Sequence, residues 1–445
     1  MDGAGARKPP RNLCCRGAAF QQEWVLIGAI RGTVTACFLR PAGTTQVRVA
    51  ITAASALVGD VFGVSALWRR VLKAESIGGE TLPPSVLAAE AQLSSADQRW
   101  LSRQQLLGLA VAENAWVQSG IGGDRQSLRG ESIERLRDPS RMQIGVVSAS
   151  ALGNTSALVD DLYNLNKRPG PTSLGRWRGN SLGAVTALRF GLQGDQFNLN
   201  AASSTGAQAL LLAGRCIRSG ELDAVLVVGA EPTLHGPLRE ANRRSGAMAE
   251  DDASVPLTSS RTGMRPVEAA GCLLLESEQR ARQRGAEVLA WLRGSSSGCE
   301  AHHLVAPQPG QQLSRAVLDR LKRQGNLQDR ETIDWLALHA TGTPRFDREE
   351  AAFVASAFQP LPWLTAFKQV FGHGLGAAGV VEAALLVEGL CRGTVPPWPM
   401  AIDPSLGLPV DPPSSAPMPQ LALQLSAGMG GVVAMNLLER SSAGC

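Results

Sequence analysis

Asn198-Leu199-Asn200-Ala201-Ala202-Ser203-Ser204-Thr205-Gly206-Ala207-Gln208-Ala209 reads as a buried strand running through small residues into the start of a helix. Side chains at such a turn sit at a helix N-terminus, where backbone N–H groups stabilise negative charge. The turn therefore suits a nucleophile and the oxyanion it generates. Serine and threonine also cap helices that have no chemistry to perform, so this stretch alone leaves both uses open.

Two later segments shift the balance. Asp334-Trp335-Leu336-Ala337-Leu338-His339-Ala340-Thr341-Gly342-Thr343 is an apolar strand that delivers a histidine and two hydroxyls at its end. Lys368-Gln369-Val370-Phe371-Gly372-His373-Gly374-Leu375-Gly376-Ala377-Ala378-Gly379 places a second histidine before a Gly/Ala-rich helix start. The chain has only five histidines, and these two occupy matching strand-to-turn positions. Lys368 stands in an apolar stretch of a chain whose basic residues are mostly arginine. A compact ammonium that shifts its pKa or orients a carboxylate is not replaceable by a guanidinium.

In this order and spacing the three segments resemble those of the β-ketoacyl-[acyl carrier protein] synthases, the condensing enzymes of fatty-acid and polyketide assembly. The resemblance runs from about Val47 to Arg440. It takes in the strand Val225-Leu226-Val227-Val228-Gly229-Ala230-Glu231, Arg261-Thr262-Gly263, the segment Glu268–Glu276 and Gly428-Met429-Gly430-Gly431. It implies a thiolase-like α/β fold, a five-layer αβαβα sandwich of two duplicated halves. The first half would cover residues 47–285 with the nucleophile turn, the second 286–441 with both histidines.

The resemblance also assigns roles. Ser203 occupies the position of the family's acyl-carrying cysteine, with His339, His373 and Lys368 as the other catalytic groups. Thr341 and Thr343 match hydroxyls that bind the phosphopantetheine arm of a carrier protein or coenzyme A; Met429 joins them at the substrate. Backbone N–H groups of Ser203 and Met429 would form the oxyanion hole. Asp347, Glu350 and Glu382 are supporting residues. No cofactor is expected to be bound and no metal ligated. The implied partners are an acyl carrier protein and a second ketosynthase subunit, in a homodimer or heterodimer, paired through the strand Gln196–Asn200.

Ser203 is a departure from that pattern. A thiol is partly ionised near neutral pH, whereas an alcohol needs an explicit base, a role open to His373. Met429 stands where a gating phenylalanine is usual, Leu257-Thr258 where Phe-Asp is usual, and Phe346 where an asparagine precedes Asp347. Three readings follow: an enzyme that carries its acyl group on Ser203, a silent partner resembling a chain-length factor, and a structural or decarboxylating relic. The retained His339, His373 and Lys368 favour the first, since a silent partner has no chemical need for all three. A Ser-His-Asp hydrolase is disfavoured because no Gly-x-Ser-x-Gly elbow surrounds Ser203.

Composition sets the outer bounds. The 445 residues are 44% hydrophobic and 18% charged with a net charge of +4, an ordinary globular balance without the basic run expected of a nucleic-acid binder. No stretch approaches the roughly 18 apolar residues of a membrane span. Eight cysteines lie scattered without Cys-x-x-Cys pairs, which points to thiols in a reducing cytoplasm. Residues 1–46 are Arg-rich around an apolar patch, Trp24–Ile30, with Glu23 beside it and no cleavage site following. They read as a disordered extension or an upstream choice of start codon rather than a targeting segment. From Val47 strands and helices alternate, as in an α/β fold. Strands are expected at Val47–Thr52 and Gln143–Ser148, and helices at Ala96–Val117 and Ser314–Arg323. Ser204–Ala213 and Ala377–Leu386 echo each other as a small-residue turn followed by an Ala/Leu helix. Pro396–Pro399 and Pro409–Pro419 read as loops ahead of a last hairpin.

Overall fold

A computed structural model describes residues 47–122, 125–128, 141–163, 170–234, 236–325, 327, 331–397, 401–409 and 418–442. The extension 1–46, and most of the two Pro-rich stretches, lie outside the described residues. The strands are β1 (Val49–Val58), β2 (Val61–Phe62), β3 (Ile144–Ala149), β4 (Gln196–Leu199), β5 (Ala224–Glu231), β6 (Ala269–Ser277), β7 (Ala290–Cys299), β8 (Trp335–Ala337), β9 (Trp363–Thr365), β10 (Leu421–Gly428) and β11 (Val432–Arg440).

Their pairing contains the same motif twice. From one edge the order is β4-β3-β5-β6-β1, and from the other it is β9-β8-β10-β11-β7. Counted by position along each run of five strands, both read third, second, fourth, fifth, first. In both the three strands nearest the edge are parallel, and the fifth lies antiparallel to its two neighbours. β1 and β7 join the runs through a short antiparallel contact, Val49 opposite Leu292 and Ile51 opposite Ala290. The expectation of duplicated halves in a five-layer fold holds.

Two helices lie between the runs of strands. Thr205–Ser219 packs on β3, β5, β7 and β11, and Ala378–Arg392 on β1, β6, β10 and β11. They are the two segments whose sequences echo each other. The second is buried almost all round, as a helix covered on both sides must be. Their first turns touch at glycines: a Cβ on Gly206 would lie 2.7 Å from Val380 N, and one on Gly379 would collide with Ala207 N. Only residues without side chains allow that approach. Outside this central layer, Arg103–Ser119 covers β1, β5 and β6, while Gln312–Gln324 covers β7 and β11. Strands covered on both faces lose their polar alternation, and every residue of β1, β5 and β6 is buried.

Two local expectations need correcting. The helix expected over Ala96–Val117 is two helices, Ser95–Gln98 and Arg103–Ser119. Ser102 begins the second with a capping box: its hydroxyl accepts from Gln105 N, and Gln105 Oε1 accepts from Ser102 N at 2.7 Å. That reciprocal pair satisfies two amides that a continuous helix would have used internally. β1 runs six residues past the expected Thr52, because its alanines and Ser55 pack flat between helices instead of alternating. Among the described residues Cys216, Cys272 and Cys299 are free thiols.

Candidate active site

The nucleophile turn is shaped by its backbone. After β4 the chain passes through Ala202 at φ 49°, a left-handed conformation that costs a non-glycine residue of order 1 kcal/mol or more. The kink turns Ser203 out of the strand direction just before the helix starts at Thr205. Neighbouring hydroxyls lock it: Ser204 Oγ donates to Ala201 O at 2.7 Å, and Thr205 Oγ1 accepts from Ala201 N at 2.8 Å. β10 closes in from the side. A Cβ on Gly428 would lie 2.8 Å from Ala201 O, and Ser426 Oγ donates to Ser203 O at 3.4 Å.

Each histidine is presented by a comparable device. His339 follows β8, and the next residue, Ala340, takes φ 36°. The buried carboxyl of Glu350 accepts from His339 N at 2.6 Å and Ala340 N at 2.7 Å. Asp347 does the same one step on, accepting from Gly342 N at 3.1 Å and Leu257 N at 2.7 Å. His373 follows Gly372 at φ 78°, where a Cβ would lie 2.6 Å from Arg265 O. Its own N–H donates to that same carbonyl at 2.7 Å.

These devices bring the side chains together. His373 Nε2 lies 2.9 Å from Ser203 Oγ. The His339 and His373 rings stand edge to face with centroids 5.7 Å apart. Both histidines are buried, and both titrate well below the ordinary histidine range, through burial first and then the nearby Lys368 charge. At neutral pH they are uncharged imidazoles, one nitrogen of each free to accept a proton. Lys368 makes a buried ion pair with Glu382, each side chain 1% exposed. Burial pushes the Glu382 carboxyl up, and the Lys368 ammonium opposes the rise. Glu350 is raised to about 7 and Asp347 to about 6, both by burial against the pull of the amides they accept from.

Ser203, His339, Thr341, Thr343, His373 and Met429 line one cleft. Glu350, Asp347 and Glu382 do not line it; they hold the backbone and the lysine behind it. Sequence reading missed other walls: Met264, Val305, and the run Ser245–Ala247. Phe346, noted only as a departure, is also a wall. It follows Thr343 by three residues at the start of the helix Pro344–Ala357, a spacing that puts both on one face. Nothing in the sequence marked Met264 or Val305, which reach the cleft from distant loops. Glu231 was recognised only as part of a motif. It is fully buried, and its carboxylate accepts from Ala151 N at 2.7 Å, holding the loop after β3. The cleft is narrow, about 80 Å³, where pockets for drug-sized ligands are about 300–1,000 Å³. Among the described residues no cluster of His, Cys, Asp or Glu is placed to hold a metal ion, and no helix is long and apolar enough to cross a membrane.

Residues 85–281 match the model of the beta-ketoacyl synthase N-terminal domain, and residues 289–400 that of the C-terminal domain. The chain belongs to the beta-ketoacyl synthase family. The chain is 28% identical over 318 residues to the chloroplastic 3-oxoacyl-[acyl-carrier-protein] synthase II of Arabidopsis thaliana, covering 68% of this chain and 58% of that protein. It is 25% identical to the chloroplastic synthase I of the same plant, covering 70% of this chain and 66% of the relative. A putative polyketide beta-ketoacyl synthase 1 of Streptomyces halstedii is 28% identical, with 63% of this chain and 71% of the relative covered. The chain thus spans less than two thirds of the two Arabidopsis proteins. Among solved structures, a type II polyketide ketosynthase in complex with its acyl-carrier protein superposes with a TM-score of 0.74 at 20% identity, over 89% of this chain and all of that chain. The ishigamide ketosynthase/chain length factor gives 0.73 at 22%, with the same coverage. At those identities the likeness is one of fold.

Proposed function

We propose that this ketosynthase transfers acyl groups in fatty-acid or polyketide-type assembly, carrying the acyl group as an ester on Ser203 and extending it by decarboxylative condensation. The observation that carries the reading is the 2.9 Å approach of His373 Nε2 to Ser203 Oγ, with the imidazole held neutral by burial. A neutral imidazole in hydrogen-bond reach is what an alcohol nucleophile requires.

In the first half-reaction His373 takes the hydroxyl proton as Oγ attacks the thioester carbonyl. The tetrahedral oxyanion collapses, the C–S bond breaks, and the proton leaves with the carrier's thiol. In the second, a malonyl-type thioester loses carbon dioxide, and the electron pair left behind passes into its carbonyl as an enolate facing His339 and His373. That carbanion attacks the ester carbonyl, the new C–C bond forms as the ester C–O bond breaks, and Ser203 Oγ departs as the alkoxide and takes up a proton from solvent. Burial keeps both rings unprotonated, and the nearby Lys368 charge adds to it. Thr341 and Thr343, whose positions on the cleft wall support the role, receive the amide groups of a phosphopantetheine arm from an acyl carrier protein or coenzyme A. Subunit pairing through the edge strand β4, with a like or unlike ketosynthase, and a cytoplasmic setting belong to the same reading.

Intact-protein mass spectrometry after incubation with acyl carrier protein thioesters tests it. The expected result is one acyl adduct on the wild type and none on Ser203→Ala. A silent partner subunit is the second reading, favoured by the narrowness of the cleft and by the serine itself. It predicts no adduct on either protein, and support of chain length in a synthase that supplies the nucleophile.

A further inference from the structure

Gln424 on β10 and Asn436 on β11 face each other across the ladder, and neither is exposed at all. Gln424 Nε2 donates to Gly379 O at 2.6 Å, while Asn436 Nδ2 donates to Gln424 Oε1 at 2.9 Å and to Ala207 O at 3.0 Å. The result is an amide relay running from the first turn of one central helix to the first turn of the other. Ala207 lies four residues beyond Ser203, and Gly379 six beyond His373.

Burying two primary amides is costly unless their hydrogen bonds are made, and a pair of apolar side chains would fill the same space. What apolar residues lack is direction. The glycine contact at Gly206 and Gly379 lets the two helices approach, but a contact without side chains resists sliding only weakly. The amide bonds fix both helix starts along the axis and in rotation. Ser426, two residues along the same strand, also reaches the Ser203 carbonyl, so β10 grips the nucleophile turn at one point and the first turn of the helix that follows His373 at another. A displacement of about 1 Å between reacting groups can cost about a hundredfold in rate.

We infer that Gln424 and Asn436 are positioning residues, which set the separation of Ser203 and His373 by tying the two helix starts together. The inference rests on that pair being the reacting pair, but its measurement needs no acyl substrate. Ser203→Cys serves as the parent protein, and iodoacetamide alkylation at position 203 is followed by peptide mass mapping from pH 5 to pH 10. A thiol that passes its proton to a neighbouring imidazole is stabilised as a thiolate–imidazolium pair and titrates below the usual value of about 8.5. Adding Gln424→Met with Asn436→Leu removes donor and acceptors together, which leaves few buried groups unpaired. The expected result is an unchanged melting temperature and an alkylation midpoint raised by about one pH unit, equivalent to tenfold slower labelling on the acid side. Gln424→Met alone keeps the bond from Asn436 to Ala207 and should give a smaller shift in the same direction. A folded variant whose profile superimposes on the parent overturns the inference. Loss of folding in both variants overturns it equally, because the pair then serves the fold. A silent partner subunit would give the same thiol profile as an enzyme, so failure of the proposed activity is read separately by the acyl adduct.

Discussion

Ser203 and His373 lie 170 positions apart in the chain, and Oγ and Nε2 meet at 2.9 Å. Each arrives at the start of a central helix, and the two helices touch at Gly206 and Gly379. The chemistry therefore depends on how two pseudo-equivalent segments of a duplicated fold are held against each other.

His373→Ala should slow acylation of Ser203 by about a hundred- to ten-thousand-fold, the usual cost of a lost general base, with the far-ultraviolet circular dichroism unchanged. His339→Ala should spare acylation and reduce carbon dioxide release from a malonyl thioester. Measuring the adduct and the gas separately distinguishes the two; equal losses of both steps in both variants would contradict the assigned division.

Acylation should keep its rate as pH falls through 6.5, the ordinary histidine value, because His373 stays unprotonated well below it. Stability behaves differently. Below pH 6.5 the unfolded chain takes up protons that the buried imidazoles refuse, so acidification destabilises the fold through them. Glu350 opposes this: with its native value near 7 against an unfolded 4.5, it binds a proton in the native state across that window. Glu350→Gln removes the opposition and should steepen the loss of stability between pH 7 and pH 5, read as urea midpoints.

Ser203→Cys should acylate faster than the wild type at neutral pH and should react with an epoxide inhibitor of condensing enzymes, since a thiolate is the better nucleophile. A variant that does neither would mean that the cleft admits no acyl group, and would favour the silent-partner reading.

Lys368→Met should destabilise the fold by about 3–5 kcal/mol, the cost of leaving one member of a buried ion pair without its partner, here Glu382. Lys368→Met with Glu382→Leu should recover most of that loss. Chemical denaturation of the three proteins checks the cycle. Recovered stability without recovered acylation would separate the lysine's charge from its place in the fold.

Much of this was legible in the sequence, and unevenly so. The segments around Ser203, His339 and His373 were readable because turns that expose a reactive side chain need small residues and glycine at fixed offsets. The echo between Ser204–Ala213 and Ala377–Leu386 was readable because a helix packed on both sides must be small and apolar throughout. The break before Arg103 was also written in the chain, as Ser102 followed by Gln105, but the apolar period running through it concealed the cap. Met264, Val305 and the Gln424–Asn436 pair were not legible. Their roles depend on which distant loop or strand ends up opposite them, and no local pattern encodes that.

The shared central layer also governs how the chain is made. The inner face of β1 and β6 is covered by Ala378–Arg392, which leaves the ribosome about a hundred residues after β6 is finished. At about 5–20 residues per second, a nascent chain holds that apolar face uncovered for roughly 5–20 s. The first five-stranded run thus cannot complete its packing while it is being synthesised, and this interval is when a chaperone has most to bind.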